Sequence, residues 1–344
     1  MRMERWFKAL VATLGEFAFL TIALAAPQDI ADFYSGKTIT LAVPGGPGGG
    51  YDAYARVLAQ FLPKYIPGHP SMTVQYVPGG GGLVAANQIY NVASRDGTAL
   101  ALLQSSSFLV GTLGDQNAKF DNLKFTRIGN MNQEADTCSV WHTTGIKDAE
   151  SFLHDGVILG VTGPGSNGQT FPMGMIDALG ANFKLVAGYS EGPARVLAME
   201  RGELQASCGI FVSTLQSQFA KQVEEGQMHV VLQMGLERHP SLADVPNALE
   251  LAHDSEGRQE LQLLFSQLSL GRPVVGPPGM PSDRAAALSK AFEETMNDSQ
   301  FLQAAEQLKL ETRWFGEDRM RQIIADMDSA SESTKTRLRK ALVR

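Results

Sequence analysis

Five glycines fall within six residues between Gly45 and Gly50, directly after a β-rich apolar run carrying Ile39, Leu41 and Val43. A helical pattern follows at once in Ala53, Val57, Leu58 and Phe61. Strand, glycine turn and helix in immediate succession leave backbone N–H groups without intrahelical partners at the helix N-terminus. Those donors and the helix dipole favour an anion. The chain therefore carries an anion cradle near its start, set in an α/β unit.

The same logic recurs. Residues 72–77 read as a second strand, ending in Pro78 and the glycines Gly79 to Gly82, and a helical pattern through Val84, Ala85, Ala86, Ile89 and Tyr90 follows. Asp96 and Gly97 mark a turn into a third strand over 99–103, which ends in Gln104, Ser105, Ser106 and Ser107. In an open parallel sheet such tips lie together at the carboxyl ends of the strands, where ligands bind. A second α/β block begins near Asn130, with strands over 157–161, 183–186 and 204–211. Gly163 to Thr170 forms a turn and helix start there, and Tyr189 to Gly192 precedes a helix opening on Pro193. The proline-rich stretch 271–281 reads as a return crossing, followed by two amphipathic helices over 284–297 and 299–308. The expected architecture is α/β with two lobes and two crossings. Residues 33–130 plus 272–344 form the first lobe and 131–271 the second, with a cleft between glycine-rich tips.

A chain of 344 residues accommodates two such lobes. The formal net charge is −7, and no basic tract is interleaved with aromatic residues, which argues against a nucleic-acid partner. The first 26 residues, 1–26, read as an export signal. Arg2, Arg5 and Lys8 precede a mostly apolar stretch, broken by Glu16, and Ala23-Leu24-Ala25 supplies small residues for cleavage near residue 25 or 26. The basic tail Lys335–Arg344 reads as cations closing a last helix rather than as a membrane-binding tract. Cys138 and Cys208 could pair in an oxidising compartment, but each sits in an apolar strand-like run, and two separate buried thiols are the preferred reading.

Gly48-Gly49-Gly50-Tyr51-Asp52-Ala53 matches a dinucleotide fingerprint, but the second strand ends without the acidic residue that would hold a ribose. None of the glycines Gly45 to Gly50 precedes a lysine, so this loop is not a phosphate-binding loop of the Walker kind. Gly165-Ser166-Asn167-Gly168 lacks the leading glycine of a nucleophile elbow, leaving Ser166 as a helix cap. The six histidines show no metal-ligand spacing, and two cysteines make no zinc box. Neither cofactor nor metal is expected. Convergent helix N-termini without a general base fit binding better than catalysis, with a hydrolase or nucleotide-dependent enzyme as the alternative.

Taken in order, KTITLAVPGGPGGGYDAYARVLAQ, VPGGGGLVAAN, RDGTALALLQSSS, GVTGPGSNGQT and AGYSEGPARVLAMERGELQAS resemble the periplasmic solute receptors of tripartite tricarboxylate transporters, the TctC or Bug family. The resemblance covers Tyr34 to Phe315. It implies a two-lobed Venus-flytrap (periplasmic-binding-protein) fold that is monomeric and non-enzymatic. It also implies a small organic carboxylate as ligand and transporter subunits in the membrane as partners, with a ligand-sensing co-receptor as the other possibility. The resemblance implies that the amides of Gly45, Gly46, Gly80 and Gly81 hold the carboxylate, with Asp52 as the helix aspartate. Gln104, Ser105 and Ser106 come from the third tip, and Ser166, Asn167, Tyr189 and Gly192 from the second lobe. This chain departs from the family where Phe-Pro becomes Gly45-Gly46, where a small residue becomes Tyr51, and where a lysine becomes Ser190. Tyr51 is expected to add an aromatic wall suited to an aromatic or larger carboxylate.

Overall fold

The computed structural model describes residues 29–189 and 192–342. The export signal expected over 1–26 lies outside them, as do Ser190 and Glu191. The chain begins with α1 (Ile30–Tyr34), β1 (Thr38–Val43), α2 (Gly50–Phe61), β2 (Ser71–Tyr76), α3 (Leu83–Asn91), β3 (Ala99–Leu102), α4 (Ser105–Thr112) and β4 (Thr126–Asn130). A second block holds β5 (Asp136–Trp141), α5 (Ala149–His154), β6 (Ile158–Gly160), α6 (Asn167–Leu179), β7 (Lys184–Val186) and α7 (Gly192–Glu200). It continues through β8 (Ala206–Phe211), α8 (Val212–Gln218), α9 (Ala220–Glu224), β9 (Met228–Met234) and α10 (Ser255–Ser266). The chain returns as β10 (Pro273–Gly276), α11 (Ser282–Met296), α12 (Ser299–Gln307), β11 (Phe315–Gly316), α13 (Glu317–Asp328) and α14 (Glu332–Leu342).

These strands make two sheets, ordered β11-β4-β10-β3-β1-β2 and β7-β6-β8-β5-β9. The TITLAV sequence of β1 suits a central strand: Ile39, Leu41 and Val43 are fully buried, and β2 and β3 flank it in parallel. Neither sheet is the purely parallel one expected from the strand tips. The stretch 271–281 contributes β10, antiparallel to both β3 and β4. The reason lies in the route of the chain. A segment returning from the other lobe runs against the strands it joins, and Val274 and Val275, both fully buried, give it two apolar faces. β5 enters the second sheet in the same way, antiparallel to β8 and β9.

The two crossings run side by side. Met131 N–H donates to Arg272 O, and Glu134 N–H to Leu268 O, both at 2.9 Å. Asn130 accepts from Arg272 N–H at 3.0 Å and donates to Asn132 O at 2.7 Å. A fully buried ion pair joins the crossings, Arg272 to Glu134 at 3.1 Å.

Two features differ from the sequence reading. Cys138 and Cys208 are not separate thiols. They face each other across β5 and β8, their Cα atoms 4.0 Å apart, and form a disulfide. Each lies in an apolar run because both strands are central in the same sheet. The last helix does not stay with residues 272–344 as a group: α13 packs on β4 and α4, but α14 packs on α6 and α10 of the second block. Arg337 there pairs with Asp177, Glu256 and Glu260, while Arg339 donates to Leu113 O at the end of α4. Arg339 and Lys340 do close the last turn of α14, as expected of the basic tail, and Arg337 and Arg339 also tie the helix to specific partners.

Candidate functional site

A cleft of about 720 Å³ lies between the two sheets. Its first wall is the loop from Pro44 to Tyr51 (except Gly48), the loop from Pro78 to Gly82, and Gln104. Its second wall comprises Thr162–Pro164, Ser166–Gln169, Ala187–Tyr189, Gly192, Pro193, Arg195, Gly209–Phe211 and Thr214, with Arg272 from the crossing.

What faces this space follows from local structure. The helices α2, α3, α4, α6 and α8 start at Gly49, Gly82, Gln104, Ser166 and Phe211, which all line the cleft. None of these five starts carries a side-chain cap. Asp29, Asp148, Asp254 and Asp298 do cap α1, α5, α10 and α12, and none of them lines the cleft. Caps satisfy the first N–H groups of a helix; α9, α11 and α13 also start without one, at Phe219, Pro281 and Gly316 away from the cleft, but the five gathered here leave donors and dipole ends pointing at a shared volume. The helix α7 begins there too, at Gly192.

Of the residues singled out in the sequence, Gly45, Gly46, Tyr51, Gly80, Gly81, Gln104, Ser166, Asn167, Tyr189 and Gly192 line the cleft together. Asp52, Ser105 and Ser106 stand behind its wall. Asp52 accepts from Gly48 N–H at 2.9 Å, from Tyr76 Oη–H at 2.5 Å and from Arg56 Nε–H at 2.7 Å, which pins the first glycine loop. Burial pushes its carboxyl up, but those three donors outweigh burial and hold it below the usual carboxylate range. The stability Asp52 adds is therefore complete above an ordinary Asp pKa and lost as pH falls through its lowered one. Ser105 and Ser106 are buried because Tyr51 and the 79–82 loop cover them: Ser105 N–H donates to Tyr51 Oη at 3.2 Å and Ser106 Oγ–H to Gly81 O at 3.4 Å. Ser166 is the first residue outside α6, yet its hydroxyl does not cap that helix. It donates to Gly163 O at 2.7 Å and touches Thr162 Oγ1, so it braces the turn and no base activates it.

The walls touch across the cleft. Gln218 Nε2–H donates to Gly48 O at 3.1 Å, Asn167 Nδ2–H to Ser105 Oγ at 3.5 Å, and the Gly81 backbone lies directly against Pro164 to Ser166.

The sequence reading missed two buried arginines. Arg195 donates to Cys208 O and to Gly209 O, and reaches the cleft beside Gly168. Its signal was faint: an arginine four residues before buried Met199 on one helix face. Arg272 is fully buried, and its guanidinium carbon lies 4.4, 4.6 and 4.5 Å from the ring centres of Tyr51, Tyr54 and Phe211. Nothing local in Gly271-Arg272-Pro273 announces that surround.

Behind Arg195, burial pushes the Asp136 carboxyl up to about 7, although Thr137 N–H donates to it and Arg195 stands near. Burial, with Asp177 close by, likewise pushes Glu260 up to about 7. Both groups hold their protons more tightly folded than unfolded. The stability this confers is complete below ordinary carboxylate pKa values and lost as pH rises through about 7. Unfolding midpoints in denaturant should therefore fall between pH 4 and pH 7, and Asp136→Asn should flatten that slope; a wild-type midpoint that rises steadily over this range contradicts the assignment.

No family model matches the chain. Over 98 residues the chain is 39% identical to protein BugT of Bordetella pertussis, a stretch that is 28% of this chain and 28% of BugT. Solved structures match over nearly the whole length. The periplasmic binding protein BugD has a TM-score of 0.70 at 18% identity, covering 90% of this chain and 98% of BugD. The chain shares its fold with the TctC and Bug periplasmic binding proteins. MatC from Rhodopseudomonas palustris, solved with bound malate, gives 0.67 at 20% identity over 89% and 99% of the two chains. An R. palustris protein with adipate gives 0.68 at 16% identity over 88% and 97%. The two-lobed fold expected of the TctC/Bug family is thus the one adopted.

Proposed function

We propose that this protein is an exported solute-binding protein that captures a small organic carboxylate between its lobes and delivers it to a membrane transporter of the tripartite tricarboxylate type. One observation carries the reading: five helices whose N-cap side chains leave their first N–H groups uncapped begin at a single cleft, the α4 end being met by Tyr51 Oη. Such a site offers a carboxylate charge-assisted N–H bonds in place of water, and these strengthen as the lobes exclude solvent. The malate and adipate of two structural neighbours, and the BugT likeness, agree with it. In this reading the leader is removed near residue 25 or 26 and the protein works as a periplasmic monomer. The first lobe is 33–130 plus the returning chain, the second 131–271, and closure is a hinge motion about the paired crossings.

The ligand is held by the amides of Gly45, Gly46, Gly80 and Gly81 from one side. Ser166, Asn167, Tyr189 and Gly192 face it from the other, while Asp52, Ser105 and Ser106 order the cradle from behind. A ligand that binds only the folded, closed form raises the melting temperature by mass action. A thermal-shift screen of mono-, di- and tricarboxylates should return at least one that stabilises the protein in a concentration-dependent way. Stabilisation by none of them, with nucleotides or ester substrates bound instead, would favour an enzyme.

A further inference from the structure

Resting on the carboxylate reading above, we propose that Tyr51 sets the ligand class: it closes the third strand tip, so the cleft takes an acid with one carboxylate and an apolar or aromatic body. Two independent sets of contacts support this. The phenol oxygen of Tyr51 accepts the Ser105 N–H, the first free donor of α4, at 3.2 Å and donates to Gly271 O at 3.3 Å. A neutral side chain thus stands where an anionic oxygen would meet that helix end. The ring also lies over the Arg272 guanidinium at 4.4 Å, and it is the least buried of the three rings around that cation.

The charges of the cleft agree. Among the described residues its charged lining groups are Arg195 and Arg272. Arg195 is spent on Cys208 O and Gly209 O, and Arg272 on Glu134 and Gly271 O. A second carboxylate at the third tip would lose water and find neither a free cation nor, with Tyr51 over Ser105 N–H, an open helix end. Tyr51, Ile210 and Phe211 offer apolar surface instead.

Hexanoate and adipate test this directly, since they share six carbons and differ only in the second carboxylate; benzoate adds an aromatic body. In isothermal titration, wild type should bind hexanoate or benzoate at least about tenfold more tightly than adipate. Tyr51→Ser uncovers the Ser105 N–H and the Arg272 guanidinium. It should shift that ratio toward adipate by about tenfold, the worth of one charge-assisted hydrogen bond. Tyr51→Phe keeps the ring and should keep the wild-type preference. Adipate binding wild type as tightly as hexanoate and benzoate overturns the proposal, as does an unchanged ratio in folded Tyr51→Ser or a Tyr51→Phe that admits adipate equally well. If Tyr51→Ser does not fold, the wild-type ratio decides alone. Failure of all three acids to bind any form overturns the proposal, whereas the carboxylate reading falls only if the wider panel of mono-, di- and tricarboxylates fails as well.

Discussion

Replacing Cys138 and Cys208 with alanine should destabilise the protein by about 4 kcal/mol and lower its melting temperature by roughly 10 °C. The disulfide closes a loop with a sequence separation of 70. That loop contains β6, α6, β7 and α7, together with half of the cleft wall. Without the bond, the unfolded chain regains the loop-closure entropy, and the order-of-magnitude figure follows from loop length alone. The paired substitution leaves no lone thiol, and both sites are fully buried in a well-packed sheet, so small cavities add to the loss. Unfolding of the oxidised wild type, the reduced wild type and the double variant should place the last two together and well below the first. Midpoints within about 2 °C of one another would mean that the bond does not form. Such a bond belongs in an oxidising compartment, in keeping with the export proposed for this protein.

Gly81→Val should abolish ligand binding, by at least about a hundredfold, while the free protein keeps most of its stability. Gly81 has φ +60°, in the left-handed region that favours glycine. A β-carbon there would also run into the Pro164 carbonyl and sit 2.6 Å from Ser166 N, both on the opposite lobe. Backbone on both sides leaves no flexible side chain to yield, so the lobes must stay apart. The closed cradle is lost, although neither core is touched. Gly114→Ala is the control, with φ +68° and nothing within 4 Å of the added atom. It carries similar backbone strain without the cross-cleft clash and should leave binding unchanged. If Gly81→Val binds as wild type does, closure of these two loops is not part of recognition.

How much of this was legible in the sequence depended on how local each cause was. The strand–glycine–helix units at Gly45–Gly50, Gly79–Gly82 and Gly163–Thr170 could be read because turn chemistry and periodicity act within a dozen residues. The antiparallel entry of β10 and β5 could not, since an apolar segment such as Pro273-Val274-Val275 carries no sign of direction. The disulfide, the packing of α14 on α6 and the seat of Arg272 depend on partners far apart in the sequence, often flanked by ordinary sequence. Tyr51 lay between these cases: its aromatic wall was visible, but its hold on Ser105 and Gly271 was not.

The central claim is that uncapped helix ends make this cleft a carboxylate seat. The most direct test is isothermal titration of the purified protein with carboxylic acids, each paired with its neutral amide. The acid keeps the charge that the N–H groups and dipoles favour, whereas the amide keeps the shape and loses it. The account predicts saturable one-to-one binding of at least one acid, with its amide weaker by about a hundredfold or more. Equal binding of acid and amide, or binding of neither across the panel, would contradict it.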